Sequence, residues 1–380
     1  MKVALTQESF DTTKGGAEVV ARVHADMLLA AGHETHVFTR HFGDLPAGFK
    51  RHKLWVWPWQ DKHLGFSQSL RRALRRQGAA FDVVHGYGKS VGMDVLQAGG
   101  GLHSRFLEYL RRSEGGGQAA LTPEDKIKLA IEKEQFPPGP DGPHYVALSR
   151  MVERHILETY DIPAERVHVI YLGVDTRRFS RDAARRLREP SRARLGLASD
   201  ETALIFMAHN FRLKGLKPLL EALAVLRGRG LRPSLVVVGR GRQGEFRAMA
   251  ERLGVGGQTR FAGAAARSEE FYAAGDLLVH PSFYDPCATV VFEALGCGLP
   301  VVTSVHNGSG EILAGTAAGE VVDPEDVEAL AAAIERYLSP QTRAQASAAA
   351  FALGAQYTFE RYYGEVMKVY DVIRRRKGRG

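Results

Sequence analysis

The sequence predicts an α/β chain built from two doubly wound units, each a parallel sheet covered by helices. Three observations predict it. The 380 residues exceed what one ordinary core needs and suit two domains of roughly 150–200 residues. Short apolar runs alternate with helix-length periodic segments from Lys2 onward, and the alternation begins afresh at Ala203. Between the two series lies an Arg-rich, polar stretch, 176–196, without apolar periodicity, which reads as a linker.

The first unit opens with a strand over 2–6, a Lys14-Gly15-Gly16 turn, a helix over 17–31 ended by Gly32, and a strand over 35–39. This βαβ opening is the doubly wound pattern. Further strands are predicted at 54–56, 83–85, 95–98, 145–148 and 167–171, with helices near 66–77, 103–112, 123–135 and 150–159. The glycine run within 113–120 and the proline-rich 137–143 are loops. In the second unit, strands over 203–208, 235–238 and 259–261 alternate with helices over 216–228, 244–253 and 268–274. A strand at 277–279, a helix over 288–296 and a strand at 300–303 follow, and a last helix runs over 359–375. The tail beyond it, 374–380, is strongly basic and reads as a frayed end.

Composition narrows the function classes. Residues 1–8 lack the order of charged, apolar and small residues that marks a secretory leader, and no window reaches about 18 consecutive apolar residues. A cytoplasmic protein is expected, with Cys287 and Cys297 reduced and too few thiols for a metal site. The net charge of +8 is concentrated: 50–76 holds Lys50, Arg51, Lys53, Lys62, Arg71, Arg72, Arg75 and Arg76 against Asp61 alone. Trp55, Trp57 and Trp59 lie within the same stretch. Two readings stand side by side. Either alternate tryptophans pack a strand into the core beside a solvated arginine face, or the segment binds an anionic membrane surface. A nucleic-acid partner is not expected.

The segment 279–303 carries the most chemistry. Asp285 precedes Pro286 in the loop beyond a strand's carboxyl end, where open α/β sheets bind ligands, and Glu293 lies in the first two turns of the following helix. The backbone N–H groups of Ala288, Thr289 and Val290 at that helix start favour phosphate. Read by spacing alone, the pair favours the plainer account, Asp285 as an N-terminal cap and Glu293 as a solvated helix residue, which is what most such acids are. Arg212 and Lys214 follow the first strand of the second unit, just before a helix whose dipole disfavours bare cations there, so an anion between them is expected. Gly15-Gly16 is half a dinucleotide fingerprint, and Arg40 stands after the second strand, where a nicotinamide enzyme would carry an acid. Arg240 and Arg242, among the glycines of 239–244, read as solvent-facing.

These residues together resemble the retaining glycosyltransferases of family 4. Asp285 and Glu293 match the family's E-x7-E signature with Asp in the first place, and 294–304, 306–313 and 319–330 match the elements that follow it. The resemblance implies the GT-B architecture, two Rossmann-like domains facing across a cleft. Its boundaries would be 1–172 for an acceptor domain, with the helix 359–375 crossing back, and 173–358 for a nucleotide-sugar domain. It further implies that Asp285 holds the donor sugar's hydroxyls and Glu293 the ribose. Lys214 and Arg212 would neutralise the diphosphate, Gly15 and Gly16 would admit it, and Gly263 would lie against the base. His103 would shape the reaction centre, with His85 second. Among family members, 92–99 and 131–136 are most like the bacterial lipopolysaccharide core glucosyltransferases that extend heptose. Gly100 stands where those enzymes carry an acid. The expected donor is a UDP-linked hexose such as UDP-glucose, the acceptor a saccharide or glycolipid, and no cofactor or metal is implied. A non-catalytic sugar-nucleotide or polyanion binder is the alternative, separated by whether nucleoside diphosphate is released. A Rossmann oxidoreductase would need the complete glycine fingerprint.

Overall fold

A computed structural model describes residues 1–13, 15–77, 80–115 and 120–378. Lys14, part of the 113–120 loop and the last two residues of the tail lie outside them. The chain divides into two compact units, one of Met1–Glu108, Gln118–Leu172 and Phe359–Gly380, the other of Tyr109–Gly117 and Gly173–Thr358.

In the first unit seven strands form one parallel sheet: β1 (Lys2–Thr6), β2 (Glu34–Thr39), β3 (Lys50–Lys53), β4 (Val83–Tyr87), β5 (Val95–Gln97), β6 (His144–Ala147) and β7 (Val167–Val169). Their order is β3-β2-β1-β4-β5-β6-β7, with Leu5 opposite Val37 on one side and His85 on the other. The order reverses between β1 and β4, which opens a crevice at the strands' carboxyl ends. Helices α1 (Gly16–Ala30), α2 (Lys62–Gln77), α3 (His103–Ser113), α4 (Pro123–Gln135) and α5 (Arg150–Thr159) connect them. Of the central strands, β4 and β6 are buried along their whole length and β1 from Val3 onward, as runs covered on both faces are.

One strand expectation is corrected. Residues 54–56 are irregular, and the edge strand is the preceding Lys50–Lys53, paired with β2. Cations suit an edge because their charge discourages pairing with another chain. Trp55, Trp57 and Trp59 are 76%, 61% and 76% exposed, so they do not pack into the core.

The second unit carries α6 (Arg181–Leu195), β8 (Ala203–Met207), α7 (Leu216–Gly228), β9 (Ser234–Val238), α8 (Gln243–Arg252), β10 (Thr259–Gly263), α9 (Ser268–Ala274), β11 (Leu277–His280), α10 (Thr289–Gly296) and β12 (Val301–Ser304). It is completed by β13 (Gly319–Val322), α11 (Val327–Arg336) and α12 (Pro340–Gly354), and the C-terminal helix α13 (Phe359–Arg376) returns to the first unit. The sheet order is β10-β9-β8-β11-β12-β13, all parallel, and its reversal falls between β8 and β11. A Leu- and Val-rich core from β8, β9, β11, α7 and α11 fills one face.

The stretch 176–196 is not a linker but mostly helix. Ser180 caps α6 by accepting from Ala183 N, and Gly196 ends it in the left-handed conformation. Apolar periodicity is absent because α6 docks through its arginines instead. Arg192 is 2% exposed and donates to Ala274 O at 2.9 Å and Asp276 Oδ2 at 3.3 Å, while Arg188 donates to Asp276 Oδ1 at 2.7 Å. Long guanidinium stems cover the surface that leucines would otherwise cover.

Aromatic hydroxyls tie α13 to the first unit's sheet. Tyr370 Oη and His85 Nδ1 are 2.9 Å apart, and Tyr362 donates to Gln97. Beside them, His24 Nδ1 lies 2.5 Å from Tyr87 Oη. Burial holds His24 down at about 3 and His85 well below the usual histidine range. His85 is fully buried, with its Nδ1 engaged by Tyr370 of α13.

Candidate active site

The crevice at the β8/β11 reversal is built from two loops that lock together. After β8, Gly215 takes φ 83°, and a Cβ there would lie 1.9 Å from Pro281 O, so the loop packs directly on the backbone beyond β11. Phe283 N donates to Leu213 O at 2.8 Å across the same seam. A second close approach, at Gly239, presses the loop after β9 against Ala208 O.

This packing carries Lys214 to Asp285. The Lys214 ammonium donates to Asp285 Oδ2 at 2.7 Å and to Tyr284 O at 2.8 Å, and both side chains are mostly buried. Burial acts to raise the Asp285 carboxyl, but Lys214 and His280 outweigh it and hold it well below the usual carboxylate range. Asp285 is not the cap of α10. Its Oδ1 accepts from Cys287 N at 3.2 Å, and its backbone pairs with His306 and Gly308. The N-cap is Ala288, with no side-chain cap. Ala288 N lies 3.4 Å from Asn307 Oδ1, so of the three expected phosphate-facing groups that one is shared with a side chain. Thr289 and Val290 open the helix as expected.

Glu293 is not a solvated helix residue either. Tyr272 Oη donates to its Oε2 at 2.7 Å and also lies 3.4 Å from Met207 Sδ. Burial pushes the Glu293 carboxyl up against that hydrogen bond, and burial with Glu293 nearby drives the Cys297 thiol up to about 12. Arg212 does not join Lys214. It pairs with Glu245 on α8, half-exposed, so two cations two residues apart serve different carboxylates. Gly263 takes φ 75° and its carbonyl accepts from Gly239 N at 2.7 Å. Arg240 and Arg242 are exposed, as expected.

The remaining candidates lie in the first unit. Gly15 and Gly16 open α1 after β1, at that sheet's own reversal, Gly15 in extended backbone that any residue adopts. His103 opens α3, with its Nε2 3.0 Å from Asp125 Oδ1 and its ring stacked on Phe106. Burial, more than Asp125 opposes, lowers its pKa. The backbone N–H of His103 donates to Glu132, which also accepts from Ser104 N at 3.2 Å and Lys89 Nζ at 3.3 Å.

Sequence reasoning passed over four of these partners. His280, 2% exposed, places Nε2 3.6 Å from Asp285 Oδ2, and its only textual signal is its place at a strand's end before Pro281. Asn307 gives Nδ2 to Thr303 Oγ1 at 2.8 Å and accepts from Ser309 N at 3.0 Å, which fixes the loop beneath α10. Tyr272 reads in sequence as an ordinary aromatic core position. Glu132 lay within a stretch noted for likeness alone.

Comparison with known proteins covers both units. Residues 14–178 match the family model described as Glycosyltransferase Family 4, and 188–352 match Glycosyl transferases group 1. Lipopolysaccharide glucosyltransferase WaaG of Escherichia coli K12 is 27% identical over 306 residues, 78% of this chain and 79% of that protein. D-inositol 3-phosphate glycosyltransferase of Frankia alni is 28% identical across 94% of each. Among solved structures, the crystal structure of WaaG superposes with TM-score 0.82 at 24% identity, covering 98% of this chain and 99% of that one. Anabaena Alr3699/HepE in complex with UDP-glucose superposes with TM-score 0.73 at 18% identity, covering 98% and 100%.

Proposed function

Because the chain belongs to the family 4 glycosyltransferases and shares their GT-B fold, we propose that it transfers a hexose from a UDP-linked donor of the UDP-glucose class to a saccharide or lipid-linked saccharide, such as a lipopolysaccharide core. Anomeric configuration is retained and no metal or cofactor takes part. The observation that carries this reading is the 2.7 Å Lys214–Asp285 pair at the second sheet's reversal point. Its supports are the name of WaaG, a lipopolysaccharide glucosyltransferase, and the UDP-glucose held by HepE.

The roles follow from the donor and acceptor capacity of each group. Lys214 has three N–H bonds and uses two, on Asp285 and Tyr284, so the third is available to a donor phosphate. The start of α10 adds its backbone N–H groups and the positive end of its dipole. Arg212 takes part by exchanging Glu245 for the diphosphate. Asp285, kept ionised, accepts from the sugar hydroxyls, and Glu293 accepts from the ribose. Residues 173–358 thus hold the donor. Residues 1–172 hold the acceptor, with Gly15, Gly16 and His103 bordering the reaction, and the protein works in the cytoplasm at the inner face of the membrane. In the step itself the acceptor oxygen bonds to the sugar C1 as the bond from C1 to the diphosphate oxygen breaks. The acceptor proton passes to a donor phosphate oxygen, and the diphosphate departs with the bonding electrons. Cations and dipoles stabilise that departing charge, the usual source of the largest catalytic term.

Donor binding is tested by thermal shift against a panel of nucleoside diphosphate sugars. UDP-glucose at about 100 times its dissociation constant is expected to stabilise the protein by roughly 2.7 kcal/mol. Glu293→Ala, which removes a charged acceptor, is expected to weaken the donor by roughly 10–100-fold. Unchanged affinity in that variant would remove Glu293 from the site.

A further inference from the structure

All three tryptophans of the chain fall within five residues, between β3 and α2, and all three are exposed. Large aromatic rings left in water at one place mark a surface that something covers. The segment bearing them is firmly held. Val56 wedges against Gly65, where a Cβ would meet it at 2.4 Å, and Ser69 Oγ donates to Trp55 O at 2.5 Å. Gln60 N donates to Trp57 O at 3.0 Å. Leu54 and Gly65 are buried and Val56 is half-buried, so the segment packs through these residues and leaves the three indoles on its outer side. Leu64, 42% exposed, extends the apolar surface onto α2.

Charge selects the partner. Lys50, Arg51, Lys53 and Lys62 flank the indoles, and Arg72, Arg75 and Arg76 are exposed on α2. Within 50–76 the one acid, Asp61, is engaged in accepting from His63 N at 2.9 Å and Leu64 N at 3.0 Å at the start of α2, and two acids of α4 meet this surface, Glu124 at 3.4 Å from Lys62 and Glu134 beside Arg71, so the exposed Lys53, Arg72, Arg75 and Arg76 set its sign. The cover must therefore be anionic. It must also accept rings by their edges. Trp57 and Trp59 stack on each other with centroids 5.0 Å apart, and Lys53 Nζ sits 5.2 Å over Trp55, so one face of each ring is already taken. A single-stranded nucleic acid binds to open faces. A headgroup layer takes amphipathic rings edge-on among cations.

We infer that Trp55, Trp57 and Trp59, with the cations around them, form a docking ridge that inserts into the headgroup layer of an anionic bilayer. It deepens the membrane placement proposed above and rests on that placement, but not on the donor site. Because the ridge holds every tryptophan in the chain, intrinsic fluorescence reports on it alone. Full-length protein mixed with vesicles of phosphatidylcholine and phosphatidylglycerol is expected to co-float with them and to shift its emission to the blue. Vesicles of phosphatidylcholine alone should bind much less. Replacing the three tryptophans with alanine is expected to lower partition on the order of 100-fold, with the UDP-glucose thermal shift unchanged. Arg72→Gln/Arg75→Gln/Arg76→Gln keeps the indoles and should weaken co-flotation while preserving the blue shift at saturating lipid. No blue shift with anionic vesicles would overturn the inference. So would a blue shift produced by single-stranded DNA and not by vesicles, or a wild-type self-association that the triple tryptophan variant abolishes. Loss of donor binding in wild type with vesicle binding intact would instead count against the donor assignment and leave the ridge standing.

Discussion

Replacing Lys214 with alanine is expected to slow hexose transfer by about 10²–10³-fold and, separately, to destabilise the fold by about 3 kcal/mol. The two effects share one cause. Asp285 is 14% exposed at its side chain and tolerates its charge because the Lys214 ammonium lies 2.7 Å away. Without that ammonium the carboxylate keeps the Cys287 N–H at 3.2 Å and His280, 3.6 Å distant and itself disfavoured as a cation by burial. Removing one member of a buried pair strands the other, which costs more than the pair contributes. The sign with pH follows. The folded Asp285 has a pKa below its unfolded value near 3.8, so its contribution is present above that value and is lost as pH falls below it. In Lys214→Ala this acid-side contribution should disappear. Urea unfolding at pH 7 and at pH values below 3.8, alongside turnover, measures both effects. Unchanged stability would mean that Asp285 is solvated or neutral in the folded protein.

Mild acid is expected to loosen the first unit well before carboxylates titrate. His24 is fully buried and neutral, held down at about 3 against an ordinary value of 6.5. Its folded pKa is depressed, so the unfolded chain takes up the proton first. The stabilisation is complete above pH 6.5 and is lost progressively as pH falls toward 3, by about 1.4 kcal/mol per pH unit. His85, buried beside it with ring centroids 5.3 Å apart, acts in the same direction. The Tyr370–His85 and Tyr362–Gln97 bonds hold α13 to this core, so amides of α13, β1 and β4 should lose hydrogen-exchange protection together between pH 6.5 and 5. His24→Gln should flatten that slope by roughly one proton. A stability flat over this range would contradict the neutral histidine core.

Where burial follows apolar pattern, the sequence was readable. Apart from β3 and β13, the strands of both sheets and the helix after Asp285 lie within a few residues of their expected places, because runs such as Leu235–Val238 are satisfied inside a parallel sheet. Where burial follows polar pairing, it was not. Helix α6 hides behind arginines whose partners, Asp276 and the carbonyls around it, lie some eighty residues away. The tryptophans mislead in the opposite sense, since alternation of large rings reads as a core strand until their exposure is known. At the site, the spacing of Asp285 and Glu293 and the position of Lys214 were legible, whereas their partners were not. Glu293 meets Tyr272 and Asp285 meets His280 only because α9, β11 and the crossing loops converge. Arg212 shows the limit most plainly: two residues from the site lysine, it pairs with Glu245 and would reach a diphosphate only by giving up that pair.

The central claim is catalytic transfer from a nucleoside diphosphate sugar, and its most direct measurement is release of nucleoside diphosphate by the purified chain. Purified protein would receive UDP-glucose together with a saccharide or glycolipid acceptor fraction, with labelled hexose followed into the acceptor. The account predicts UDP release in step with hexose incorporation, both abolished by Asp285→Ala. Tight donor binding with no UDP released, whichever acceptor is supplied, would contradict it and make the chain a sugar-nucleotide binding protein.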